Sequence, residues 1–404
     1  MCFMLLMQYD CPEKEGVMQK ARLATAHKRD LLWVILFLII FINGFESGGY
    51  QASLWSIGKT FDLSVTSMGL FAAFELLADM LAPILLGRWA DHVGKAKSMS
   101  IMLTIQLISA AVVFFSRTQV PFLISMFLLG LTTSALQFIA IACLADAYPL
   151  SGKRRIGFLT SMYAFGAVIA PLVVSFYLDR GVSWKALFVL LALGTVVALV
   201  GILKIGTDPR EHAPQIRSDR NPATTFVLAG ILSLCVIMCV YVGFENGFSF
   251  FVDTLYTDTF HVTTGKLALS LYWALMIPAR MLVGQFSRHS YRILIASIIA
   301  IPLVTLLIGL SGNATMATAL IVPLGIASGA IYPCVLNLMI PFAGTKTATA
   351  TGMITAATGV GGFAFTALTG FMADLWGMQV AMMVLASFFV FSLVAALRVK
   401  TLSR

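Results

Sequence analysis

The sequence predicts an all-α membrane protein in which twelve transmembrane helices form two pseudo-symmetric six-helix bundles. The first observation is composition: 59% of the 404 residues are hydrophobic and 11% are charged, whereas soluble domains carry about 25% charged residues. The second is that the apolar runs are continuous and about 20 residues long, which is the length that a membrane-spanning helix needs. The third is a sequence pattern that recurs in both halves of the chain. Because polar and apolar residues do not alternate, an outer-membrane β-barrel is not expected.

Twelve apolar runs are the predicted spans, and each is long enough to cross about 30 Å of hydrocarbon as a helix. They cover residues 31–56, 66–88, 97–116, 119–144, 155–178, 184–204, 224–249, 265–286, 291–310, 315–340, 347–371 and 377–398.

The basic residues predict the orientation of these spans. With both termini on one side, 22 of the 27 Lys and Arg residues fall on that side. Loops rich in Lys and Arg stay in the cytoplasm, so the protein is expected in the cytoplasmic membrane with both termini cytoplasmic. This distribution accounts for the formal charge of +9, and no nucleic-acid partner is needed to explain it.

One long polar segment, GTDPREHAPQIRSDRNP at 206–222, stands between the sixth and seventh spans. With this segment as the boundary between two bundles, the sequence predicts five parts of the chain. These are a cytoplasmic N-terminal segment 1–30, a six-helix bundle 31–205, a cytoplasmic linker 206–223, a second bundle 224–398 and a cytoplasmic tail 399–404.

The two predicted bundles share a repeated sequence. An offset of 199 residues places Gly44-Phe45-Glu46 on Gly243-Phe244-Glu245, and an offset of 195 places Gly166 on Gly361 and Asp179 on Asp374. Halves repeated in the same topological sense are typical of transporters, whose substrate site lies between them near the middle of the membrane.

The loop between the second and third spans reads GRWADHVGKAK, residues 87–97. It resembles the signature Gly-x-x-x-Asp-x-x-Gly-Arg/Lys of the major facilitator superfamily, matched at Gly87, Asp91, Gly94 and Lys95. The resemblance extends to the twelve spans, the central linker and the repeated halves. It implies a transporter that works by alternating access.

The signature residues suggest a gating role. Gly87 is expected to permit close helix packing and Gly94 a tight turn. Asp91 is expected to lie at the N-terminus of a neighbouring helix and latch the inner gate. Arg280 resembles the family's arginine near the inner end of the eighth helix, and we expect it to be interfacial and mainly structural.

The branch of the family is left open by the sequence. The fifth span partly resembles the motif of proton antiporters, with matches at Gly157, Gly166 and Pro171. However, Met126 stands where drug exporters carry an arginine. The segments YVGFENGFSFFVDTLY and GMITAATGVGGFAFTALTGFMAD look like those of fucose–proton symporters, yet the coupling carboxylates of that branch fall near Gln51 and Gln137.

Four carboxyl groups, Glu46, Glu75, Asp79 and Glu245, fall inside predicted spans, and no Lys or Arg is expected among them. A charged side chain at the centre of the bilayer costs about 3 kcal/mol. A buried acid without a cation is therefore expected to be neutralised by a proton, which it can load on one side of the membrane and release on the other.

Polar side chains near these acids are candidate solute and proton ligands. Asn43, Glu46 and Tyr50 share one face of the first helix, which we expect to line the cavity. Tyr241 and Glu245 have the same relation on the seventh helix. The remaining candidates are Gln137, Tyr332 and Asn337. The alternative for each is a hydrogen bond that only supports helix packing.

The sequence thus favours a proton-coupled secondary transporter for a small neutral or cationic solute, since no mid-membrane cation is expected to meet an anion. Two alternatives are an efflux antiporter for lipophilic cations and a membrane sensor built on a transporter scaffold. No catalytic grouping, metal site or cofactor is expected, because the six cysteines and five histidines lack suitable spacing. The expected partners are the solute, protons and the lipid bilayer, and a monomer is expected to suffice.

Overall fold

The computed structural model of the protein describes residues 12–147, 152–206, 226–343 and 347–402, and within these ranges it describes most of the side chains from residue 31 onward. In these ranges the chain is all-helical, and twelve of its helical segments are long and apolar enough to cross a membrane. This confirms the predicted fold class.

The helices are α1 Pro12–Phe61, α2 Val65–Val93, α3 Lys95–Phe115, α4 Gln119–Ala147, α5 Gly152–Leu178, α6 Ala186–Ile205, α7 Leu228–Thr259, α8 Gly265–Gln285, α9 Ser290–Gly309, α10 Ala314–Ala343, α11 Thr347–Trp376, α12 Met378–Ser387 and α13 Phe389–Leu402.

Two predicted boundaries change in the structure. Helix α7 continues beyond residue 249 to Thr259, and the last span consists of α12 and α13, which are divided at Phe388. Except for Gly206, the predicted linker 206–223 lies outside the described residues.

We call α1–α6 the first half and α7–α13 the second half. In each half a glycine brings two helices into close contact. A Cβ on Gly166 of α5 would lie 2.3 Å from the carbonyl oxygen of Phe41 on α1, and one on Gly361 of α11 would lie 2.0 Å from that of Cys239 on α7. These are the two glycines that the repeat relates, so the repeat preserves the packing of α5 on α1 and of α11 on α7.

We call the face that carries the α1–α2 and α11–α12 turns the far face, because it lies opposite the start of α1 and the end of α13. Two polar contacts join the halves in the part of the membrane region nearer to it. Trp273 donates a hydrogen bond of 3.1 Å to Oε1 of Gln51, and the hydroxyl of Ser270 donates one of 2.9 Å to the carbonyl of Val168. The molecule is therefore closed on the far side.

The close approach of α11 to α7 makes a stability prediction. Replacing Gly361 with Ala places a methyl group against a backbone carbonyl, so we expect a loss of about 1–3 kcal/mol and a lower melting temperature of the purified protein in detergent. Gly352→Ala on the same helix is the matched control, because nothing lies within 4 Å of its Cβ position. Equal melting temperatures for the two variants would show that this contact does not limit the packing.

Candidate functional site

Three carboxyl groups lie within electrostatic influence of one another where α1, α2 and α4 pack together, and we call Glu46, Glu75 and Asp79 the acid cluster. The side-chain amide of Asn43 on α1 donates a 2.9 Å bond to a carbonyl of α4. Helix α2 lies so close to α4 that a Cβ on Gly130 would be 2.4 Å from the carbonyl oxygen of Glu75. These contacts hold the three helices together, and the charges of Glu46 and Asp79 both act on Glu75.

The acid cluster has no cation among the described side chains. Glu46 is fully buried, and neither of its carboxyl oxygens has a hydrogen-bond partner. Glu75 is 6% exposed, and its Oε2 is also without a partner. An isolated carboxylate is unfavourable in apolar surroundings. The described His, Cys, Asp and Glu side chains form no group of three that is suited to a metal ion.

The third acid connects this cluster to solvent. Asp79 is exposed, although protein atoms surround it on all sides. Tyr332 of the second half is likewise exposed and surrounded by protein atoms. The same holds for Arg280, whose side chain is 33% exposed. We interpret these accessible polar side chains of both halves as the lining of an internal space between them. In this interpretation, Asp79 is the member of the acid cluster that borders the space.

Glu245 has a different environment in the second half. The hydroxyl of Tyr241 donates a hydrogen bond to its Oε2, and Nη2 of Arg280 lies 3.7 Å from the same oxygen. The carboxyl side chain is 13% exposed. We call Tyr241, Glu245, Arg280 and Tyr332 the arginine site. Tyr332 is included because the charges of Arg280 and Glu245 also act on it.

The expectation that the spans contain no cation is therefore wrong. Arg280 belongs to the membrane-spanning part of α8, Gly265–Val283, and it is paired with Glu245 instead of serving only as an interfacial residue. The long side chain of an arginine extends well beyond its Cα. A position near a helix end consequently did not reveal where the guanidinium would lie.

A second ion pair in the membrane was missed by the sequence analysis. Nζ of Lys266 at the start of α8 lies 2.8 Å from Oδ2 of Asp253 on α7, and both side chains are nearly buried. The predicted seventh span ended at residue 249, so Asp253 was not counted among the membrane acids. The available signal was an acid and a base on either side of the turn between α7 and α8.

The predicted polar stripe on the first helix does not line the cavity. Asn43, Glu46 and Tyr50 are all fully buried, because α2 and α4 cover this face of α1. The hydroxyl of Tyr50 has no described partner, and its ring meets Phe250 of the second half with centroids 5.5 Å apart.

Two further candidates make no described side-chain hydrogen bond to the acid cluster or to the arginine site. The amide of Asn337 donates a 3.0 Å bond to the hydroxyl of Ser290, which joins α10 to the start of α9. Gln137 is half-buried on α4, about two turns after Gly130, the residue that packs against Glu75 of α2. We assign neither residue to the solute.

The signature loop is only partly described. Gly94 makes the turn between α2 and α3 with a φ of 90°, and Nζ of Lys95 donates a 3.4 Å bond to a carbonyl of α4. The side chain of Asp91 is outside the description. The close-packing role expected for Gly87 is wrong, because nothing lies within 4 Å of its Cβ position.

The buried pair of Asp253 and Lys266 gives a prediction. Lys266→Met leaves Asp253 buried without its cation, and we expect a loss of about 3 kcal/mol, seen as a lower melting temperature in detergent. The double variant Asp253→Leu with Lys266→Met removes both charges and is expected to regain most of that loss. Lys204→Met, at an exposed lysine, is the control. If the single and double variants melt alike, the pair does not determine the stability of this region.

Comparisons with known proteins agree with the fold. The family model described as Major Facilitator Superfamily matches residues 36–366. A protein named TsgA homolog from Buchnera aphidicola subsp. Baizongia pistaciae is 22% identical over 70% of this chain and 74% of its own length. The glucose/mannose transporter GlcP of Bacillus subtilis is 21% identical over 57% of this chain and 58% of that protein. The crystal structure of a bacterial homologue of the human lysosomal transporter Spinster, inward-facing and occupied, superposes with a TM-score of 0.74 at 16% identity, covering 92% of this chain and 97% of that one.

Proposed function

Since the chain belongs to the major facilitator superfamily, a family of membrane transporters and not of enzymes, we propose that it moves a small, uncharged polar solute together with protons. The observation that carries this proposal is the difference between the two halves. The first half holds unpaired acids, and the second holds an acid that is already paired with Arg280. Both border the internal space. One half is suited to protons and the other to the solute.

The acid cluster is the proposed proton site. Glu46 and Glu75 are buried without a cation, so each is much less costly in this environment when it carries a proton. Asp79 faces the internal space and is an electrostatic neighbour of both. A proton that enters through Asp79 can therefore pass to the buried acids. Buried acids that influence one another electrostatically do not all ionise readily, so the arrival of one proton affects the others.

The arginine site is the proposed solute site. Arg280 contributes N–H donors, Glu245 an acceptor, and Tyr332 an accessible aromatic ring. The pair has no net charge, and this revises the expectation of a neutral or cationic solute toward a neutral one. Adjacent hydroxyl groups can donate to a carboxylate and accept from a guanidinium. The name of the relative GlcP, a glucose/mannose transporter, supports a hydroxyl-bearing solute such as a sugar or polyol.

The direction of opening follows from the contacts between the halves. The described polar contacts between the halves lie nearer to the far face, and we infer that the internal space opens toward the face of the two termini. If the positive-inside distribution sets the orientation, the structure corresponds to the inward-open step of alternating access.

The solute class is tested by the thermal stability of purified protein with neutral hexoses, pentoses and inositol, compared with hexose phosphates, uronic acids and quaternary ammonium compounds. We expect stabilisation by one or more of the neutral compounds. Arg280→Gln should weaken the binding of that compound about tenfold, because hydrogen bonds to a charged group are lost. Arg288→Gln, at an exposed arginine in the turn after α8, is the control. Stabilisation by anionic or cationic compounds alone would contradict the proposal.

The proton site is tested in proteoliposomes with the neutral sugar or polyol that gives the largest stabilisation. Glu46→Gln should abolish accumulation driven by an imposed pH gradient, because an amide cannot release a proton. It should leave exchange of labelled for unlabelled solute intact, because exchange needs no net proton movement. Asp62→Asn, at an exposed acid in the α1–α2 turn, is the control. Accumulation by the Glu46→Gln protein at the parent level would overturn the role of the cluster.

A further inference from the structure

We propose that Asp374 is the gating residue of the far face: its carboxylate caps the N-terminus of α2 across the boundary between the halves and so stabilises the far-side-closed state. The inference rests on the proposed alternating access of a transporter. It does not depend on the identity of the solute or on the proton site. Asp374 is a positioning residue, since it acts through helix α2 and does not touch the internal space.

The geometry of the contact is that of a helix cap supplied by another part of the molecule. Oδ1 of Asp374, in the last turn of α11, accepts a 3.1 Å bond from the backbone N–H of Val65. Its Oδ2 accepts a 2.8 Å bond from the N–H of Thr66. Both donors belong to the first turn of α2, where backbone N–H groups have no partner within the helix. The negative charge also lies at the positive end of the helix dipole.

Two glycines bring the carboxylate into position. A Cβ on Gly69 of α2 would lie 3.1 Å from Cα of Gly370 on α11, and a Cβ on Gly370 would lie 2.6 Å from the carbonyl oxygen of Val65. The backbones of the two helices are therefore in direct contact one turn below the cap. If the halves separate at the far face, the cap and this contact are lost together.

The exposure of Asp374 makes the contact reversible. Asp374 is exposed, so water can hydrate the carboxylate and the α2 N–H groups when the far face opens. This differs from the buried pair of Asp253 and Lys266, which joins α7 to α8 within one half. Breaking a buried pair leaves uncompensated charges, whereas an exposed cap contributes a modest preference for the closed state.

The repeat provides an internal comparison. Asp179 at the end of α5 is the residue that the repeat relates to Asp374, and the start of α8 is the counterpart of the start of α2. Asp179 accepts a 3.3 Å bond from Ser175 of its own helix. Thr264, the residue before α8, makes no side-chain cap bond. Of the two related aspartates, Asp374 is the one with a described cap across the halves.

The test measures the distance between the halves at the far face without any solute. Spin labels are attached at Thr118 and Thr263, which are exposed on far-face turns of the first and second halves, in a full-length variant without its native cysteines. Distance distributions are then recorded by pulsed electron paramagnetic resonance for the parent, Asp374→Asn, Asp374→Ala and Asp179→Ala proteins in lipid nanodiscs.

We expect Asp374→Ala to raise the ratio of far-side-open to far-side-closed molecules about fivefold, the effect of losing one helix cap. Asp374→Asn should give a smaller increase, because the amide oxygen still caps but the charge is gone. Asp179→Ala should match the parent. If the Asp374→Ala and Asp374→Asn distributions both match the parent, or if Asp179→Ala produces the same shift, the proposal is wrong. None of these distance measurements depends on whether the protein transports a sugar or binds protons at Glu46.

Discussion

A carboxyl group among apolar helices has to be neutralised, either by a cation or by a proton, and this requirement separates the roles of the two halves. Glu245 has Arg280 and a tyrosine hydroxyl beside it. Glu46 has neither cation nor hydrogen-bond donor among the described residues. In the function that we propose, the same residue type at related positions is half of a neutral binding pair in one bundle and a proton carrier in the other.

Duplication preserved the shape of the bundles more strictly than their chemistry. The packing of α5 on α1 and of α11 on α7 depends in both cases on a glycine that faces a backbone carbonyl. A close backbone contact admits no larger side chain, so it restricts sequence change. A buried acid can keep its position while its neighbours change, because the cation that pairs with it comes from another helix. Arg280 of α8 provides that cation in the second half alone.

Alternating access requires halves that are rigid inside and weakly joined to each other. The described contacts fit this division. Within the second half, a buried ion pair joins α7 to α8. Between the halves the described polar contacts are single hydrogen bonds, such as that of Trp273 with Gln51, and the exposed cap of Asp374 on α2. Exposed or single bonds are replaced by water at little cost, which allows two states of similar free energy.

The sequence by itself determined the twelve spans, the repeat and the family, because long apolar runs and glycine patterns are local properties that need no partner to be recognised. It also located Glu46, Glu75, Asp79 and Glu245 within the membrane. Only the tertiary structure decided which of these acids is paired, because pairing depends on distances between helices. Arg280 and Asp253 show this most clearly: the reach of one side chain and the true end of α7 became known only when the helices were packed together.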